Sequence, residues 1–164
     1  MTLPANFNRA SLPDWTQESL SYVGTHEIAG AKDNPEVVKF FADAGHPEVV
    51  DDETAWCAAF ANAMLFRTGW RGTGKLNARS FLDWGESASK PRAGDFAVLK
   101  RGDNAWQGHV TQFLYDAGDG VHFVGLGGNQ SNAVTDDAKF RYDSVLGYRR
   151  PTERLSSGAA VPQG

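Results

Sequence analysis

The chain has 164 residues, 41% of them apolar and 22% charged, with a formal net charge of −4. That length suits one domain with a core of its own. The acidic balance argues against nucleic acid as a partner, and no apolar run is long enough for membrane insertion. A single cysteine, Cys57, excludes an internal disulfide and a thiolate zinc site. It is left as a buried apolar residue, a surface thiol or a nucleophile. The first residues, Met1-Thr2-Leu3-Pro4-Ala5-Asn6, have neither the basic start nor the apolar stretch of a secretory signal. The expectation is a monomer kept in the cytoplasm where it is made.

Residues 1–12 read as a loose arm. Trp15, Leu20 and Val23 recur at helical spacing, which predicts a helix from Pro13 to Ile28 with Gly30 as its stop. Asn34-Pro35-Glu36 starts a second helix, proline being suited to the first turn. Val37, Val38, Phe40 and Phe41 supply its buried side, and Gly45 stops it. The third helix begins near Cys57. From Ala58 to Phe66 it is apolar nearly all round, the pattern of a helix in the centre of a domain, and Thr68-Gly69 ends it. A short helix over 78–84 follows.

After Gly85 the character changes. Phe96–Leu99, His109–Tyr115, Val121–Leu126 and Ser144–Arg149 read as strands, with turns at 116–120 and 127–130. The short spacings favour antiparallel pairing. From Pro151 the chain is small and polar, the composition of a tail over 152–164. Helices first and strands second predict an α+β domain over 13–151, its N-terminal helices packed on a C-terminal antiparallel β-sheet.

Cys57 at a helix start gains from unpaired backbone N–H groups and the helix dipole, which favour a thiolate. The acidic run Asp51-Asp52-Glu53 opposes this wherever it lies close. His109 leads a strand and can act as the base. Asn129, in the Gly127-Gly128-Asn129-Gln130 turn at the end of the next strand, can orient the imidazole through its carbonyl. Two alternatives stay open there: Asn129 as a left-handed turn residue, or Gln130 as the orienter. His26 and His46 read as surface or cap residues, and His122 as a structural residue and the one rival to His109 as base. Trp56, Trp106 and Gln130 are candidates for the substrate cleft.

The segments Trp56-Cys57-Ala58-Ala59-Phe60, Pro91-Arg92-Ala93-Gly94-Asp95-Phe96, Gly108-His109-Val110 and Gly127-Gly128-Asn129-Gln130-Ser131 together resemble the cysteine/histidine-dependent amidohydrolase/peptidase (CHAP) domains and their NlpC-type relatives, in their small phage-lysin form. The resemblance implies a papain-like fold and hydrolysis of an amide bond in bacterial peptidoglycan. Cys57 is then the nucleophile, His109 the base and Asn129 the orienter. It also implies a bacteriophage endolysin that reaches the wall only once the inner membrane is open. A secreted antibacterial effector and a non-catalytic wall-binding or virion module are the other readings. A glutamate common before that asparagine is missing here, where Gly127 and Gly128 stand. Some relatives bind calcium near the N-terminus, but Asp33-Asn34-Pro35-Glu36 lacks the alternating oxygen ligands of such a loop. No structural metal and no cofactor are expected. An amidase and a peptide endopeptidase need the same chemistry, and these residues do not separate them.

Overall fold

The computed structural model describes residues 7–28, 33–50 and 55–155. Three α-helices come first: α1 (Asp14–Leu20), α2 (Pro35–Asp43) and α3 (Cys57–Arg67). A 3-10 helix over Ala78–Asp83 leads into six strands: β1 (Glu86–Ala88), β2 (Phe96–Lys100), β3 (Gly108–Asp116), β4 (His122–Gln130), β5 (Ala133–Arg141) and β6 (Val145–Arg150). They form one sheet in the order β1-β6-β2-β3-β4-β5, antiparallel at every pairing. The α+β architecture expected from the sequence is the one present.

α3 lies at the centre because almost nothing on it is polar. Every residue from Cys57 to Leu65 is buried, Asn62 included. Asn62 is tolerated there because its amide donates to Ala58 O and Lys75 O and accepts from Thr73 N–H, so no polar atom is stranded. One side of α3 packs with Val37, Phe40 and Phe41 of α2 and with Leu114 and Leu126 of the sheet. Its other side meets Trp15, Phe81, Phe96, Val98 and Val110. The opposite face of the sheet carries a separate cluster, Ala97, Leu99, Phe113 and Phe123, with Phe140 and Tyr148 against it. Alternation therefore sorts β3: Val110 and Leu114 face α3, while His109, Thr111 and Phe113 face away from it.

Several elements differ from the sequence expectation. α1 stops at Leu20, well short of Ile28. After Gly24, in left-handed backbone (φ 100°), the chain runs beside the sheet edge. Gly24 and Glu27 donate to Val134 O and Asn132 O, and Val134 donates to Thr25 O. The open edge of β5 is covered this way, a tertiary demand that overrides helical spacing. The proposed stop at Gly30 lies outside the described residues. Asn34 caps α2, its side chain accepting from Glu36 N–H. The expected loose arm is packed where it is described: Leu12 is buried and Phe7 sits edge-on to Tyr115 at 5.4 Å. At the other end Arg154 bridges to Trp70 and lies over its ring.

Two strands were not expected. β1 is short and exposed, and β5 is an edge strand whose outward positions Asp137, Lys139 and Arg141 hide its periodicity. β4 also runs past Leu126 through the Gly-Gly-Asn-Gln stretch, which is strand rather than turn. The turn is at Ser131 and Asn132, both left-handed (φ 54° and 62°).

Candidate active site

Cys57 is the first residue of α3. Trp56 holds the N-cap position and makes no side-chain cap hydrogen bond, so the first N–H groups of the helix keep no side-chain acceptor. The Cys57 thiol lies close to them. It lies against the N–H groups of Cys57 and Ala58, and across on β3 it meets the N–H of Val110, the residue after His109. That N–H is available because β3 pairs with β4 only from Gln112 to Asp116. The first residues of β3 splay from β4, and the helix start fits the opening.

His109, the residue before Val110, lies on the other face of β3. Its ring stacks on Phe140 with centroids 5.3 Å apart, and only 6% of the residue is exposed. Its Nε2 lies 3.0 Å from Gln130 Oε1. The Gln130 amide can point only one way. Its Nε2 donates to Thr135 O at 3.2 Å and Thr135 Oγ1 at 2.8 Å, and a carbonyl can only accept. Its Oε1 therefore faces the imidazole and also accepts from Thr111 Oγ1 at 2.7 Å. With an acceptor fixed opposite it, His109 Nε2 must carry the proton. The lone pair is then on Nδ1, which is buried and has no hydrogen-bond partner. A buried nitrogen base left unsatisfied costs about 1–3 kcal/mol. That cost is unusual in a core and expected at a reactive group.

The sequence expectation put Asn129 on the imidazole; the structure puts Gln130 there. The reason is a one-residue irregularity. On β4, Gly125 and Gly127 share the His109 face, since a Cβ on either would strike the Thr111 side chain. Strict alternation would then aim residue 129 at the imidazole. Asn129 instead has φ 55°, and the β4–β5 register shifts between Gly127 and Gln130. The bulge moves the inward role on by one residue. Asn129 takes the left-handed conformation, the alternative the turn chemistry had left open. The glycines are needed for close approach. A Cβ at Gly127 would sit 2.5 Å from Gln130 Oε1, and one at Gly128 would sit 2.6 Å from Phe60 Cβ.

Trp56 also needs correction. It is fully buried, stacked on Phe40 at 6.0 Å and donating from Nε1 to Glu27 Oε1 at 2.6 Å. It anchors the start of α3 and cannot touch a substrate. Gln130, 6% exposed, is likewise bound up with His109 and not free for a ligand. Trp106 is 72% exposed and lines a cleft of about 520 Å3 with Cys57, Asn77, Ala78, Arg101 and Gln107. A second cleft of about 330 Å3 holds His109, Asn129 and Gln130. Arg101 lines both. No sequence feature had singled it out, because an exposed arginine at a strand end has no local signature.

Burial dominates the electrostatics. It pushes the Cys57 thiol up, against the Val110 and Ala58 N–H groups and the Arg101 cation, which pull it down. It pushes His109 down to about 4, helped by Arg101 and opposed by the Gln130 bond. At neutral pH the pair therefore rests as thiol and neutral imidazole, not as the thiolate–imidazolium pair expected from the helix dipole. The carboxylates Asp51, Asp52 and Glu53 lie outside the described residues. The other histidines are elsewhere: His26 bonds Gly24 O, His46 bonds Glu48 and Gly74 O, and His122 sits 2.7 Å from Asp119 in a hairpin. Among the described residues no group of three His, Cys, Asp or Glu side chains could hold a metal ion, and no helix is long and apolar enough to cross a membrane.

No family model and no curated protein matches this sequence. Two solved structures are similar in shape. One is the endolysin LysIME-EF1, at 17% identity and a TM-score of 0.49, covering 88% of this chain and 65% of its own. The other is a lipoprotein of the NLP/P60 family from Staphylococcus aureus, at 19% identity and a TM-score of 0.46, covering 92% of this chain and 44% of its own. The chain thus spans less than two thirds of the length of either.

Proposed function

We propose that this protein is a cysteine-dependent hydrolase of an amide bond in bacterial peptidoglycan, of endolysin type. Cys57 is the nucleophile, His109 the base and Gln130 the residue that fixes the imidazole tautomer. The observation that carries the reading is the buried, unpartnered Nδ1 of His109 on the residue next to Val110, whose N–H faces the Cys57 thiol. In a pair that rests neutral, the proton leaves sulfur as sulfur attacks. Nδ1 accepts it, and Gln130 Oε1 steadies the imidazolium through Nε2–H. The N–H groups of Cys57 and Ala58 then face the oxygen of the tetrahedral intermediate. Proton return from Nδ1 to the leaving amine yields the acyl-enzyme, and water activated by the same nitrogen releases the product.

Peptidoglycan as the substrate rests on the four sequence segments quoted above. Three of them meet at this site. The fourth, Pro91 to Phe96, closes a turn through Asp95, which accepts from Arg92 N–H and pairs with Arg150. A non-catalytic wall-binding module would have no use for a buried base with a bare lone pair. The test is digestion of purified peptidoglycan by wild type and by Cys57→Ala, with products read by mass spectrometry. Release of fragments by wild type alone is the expected result. Release by both, or by neither, would sink the reading.

A further inference from the structure

The two clefts beside the site differ in charge and in which catalytic group they contain. The cleft with Cys57 also holds Trp106, and among the described residues that line it Arg101 is the one charged side chain. The cleft with His109 is lined by Lys100, Arg101, Lys139 and Arg141, with no carboxylate among its lining residues. Four cations in one cleft run against a chain whose net charge is −4. Arg141 is committed to Asp143 at 2.9 Å, and Lys100 lies within electrostatic reach of that same carboxylate. Arg101 and Lys139 have no ion pair among the described residues. Fixed cations of this kind on an open wall are suited to an anionic ligand.

Acyl-transfer chemistry gives the two clefts a direction. The carbonyl carbon bonds to sulfur as the carbon–nitrogen bond breaks, so the acyl part stays on the thiol side. The leaving nitrogen takes the proton from the imidazole, so the amine part lies on the imidazole side. We propose that the cationic cleft is the leaving-group site and binds the carboxylates of the peptidoglycan stem peptide, while the Trp106 cleft takes the acyl part with its sugar against the exposed indole. This rests on the hydrolase reading and narrows it. The bond cut joins a lactyl-bearing sugar to the amino end of an acidic peptide, which is an amidase and not a peptide endopeptidase. Sulfur forms a thioester with the lactyl carbonyl, the peptide departs as a free amine carrying the proton taken from the thiol, and water then releases the lactyl carboxylic acid and regenerates the thiol.

Binding to the full chain carrying Cys57→Ala tests this without turnover. The isotopically labelled protein is titrated with the free peptide L-Ala-γ-D-Glu-meso-diaminopimelate-D-Ala, with its carboxyl-amidated form, and with the disaccharide N-acetylglucosaminyl-N-acetylmuramic acid. The acidic peptide is expected to shift the amides of Arg101, Ser131 and Lys139, and the disaccharide the indole of Trp106 and the amide of Gln107. Amidation and the added change Lys139→Glu should each weaken the peptide about tenfold and leave the disaccharide unchanged. A peptide footprint at Trp106, no response to amidation, or no peptide binding at all would overturn the assignment. Failure of the hydrolase reading itself is read separately, by digestion of peptidoglycan with the wild type.

Discussion

Two of the buried polar pairs on this sheet are built to opposite ends. Asp95 at the start of β2 accepts from Arg150 Nε at 2.7 Å and Arg150 Nη2 at 2.6 Å, and from the N–H of Arg92 at 2.8 Å. Its side chain is 3% exposed, and no oxygen of it is left bare. It ties β2, the preceding turn and the end of β6 into one unit. His109 and Gln130 are as deeply placed, but only one of the two imidazole nitrogens is satisfied. A pair with complete bonding stabilises a fold. A pair with one bare lone pair costs stability and keeps a base ready, so the incomplete pair is where chemistry is expected.

Mutations can break this contrast in graded ways. The largest effect is on activity: Cys57→Ala and His109→Ala should each lower kcat by about 10⁴-fold or more, with thermal unfolding little changed for the first. Gln130→Ala frees the tautomer and should cost about 10²-fold in kcat with a much smaller change in KM, measured by release of soluble wall fragments. Gln130→Glu sharpens the same point. A carboxylate at Nε2 favours the imidazolium, so the acid limb of the pH–rate profile should lie at higher pH than in the wild type, where burial holds the imidazole pKa down.

The resting protonation state gives a stability prediction whose sign is fixed. His109 has a folded pKa of about 4 against an ordinary value of 6.5. Between those values the unfolded chain binds more protons, so stability rises with pH across that window and is complete above it. About 3 kcal/mol should be lost as pH falls from 6.5 to 4. Denaturant unfolding at a series of pH values reads it, and His109→Asn should remove that part of the slope.

Asp95→Ala attacks the satisfied pair. It strands the Arg150 guanidinium and should cost about 3 kcal/mol, a drop of roughly 6–12 °C in Tm, while kcat below the transition is retained. Smallest of all, Asn129→Ala asks a residue with a Cβ and no amide to hold φ 55° and should cost about 1 kcal/mol. Its loss of kcat should fall well short of that in Gln130→Ala; an equal loss would restore Asn129 as the orienter.

Much of this was legible in the chain. The α3 pattern, apolar on every side, gave its central position, because no other burial can satisfy such a helix. Val37, Phe40 and Phe41 marked the inner face of α2, and β2 and β3 were readable from runs of buried residues. Edge elements were not legible. β5 mixes Asp137, Lys139 and Arg141 into its alternation, and residues 24–27 pair with it only because an open edge is there to be covered. Neither fact exists before the sheet does.

The sequence by itself determined the order of a nucleophile, a base and an amide, and the helix and strand that carry the first two. Only the tertiary structure decided which amide meets the imidazole, since a single left-handed residue reverses the side-chain alternation that pattern reading depends on. It also decided that Trp56 is core and Trp106 is surface, although both lie near the site, and that the thiol and imidazole rest neutral. Burial is a property of the assembled core. It outweighs here the helix dipole that local sequence could announce, because desolvation of a charge grows with the depth that packing alone sets.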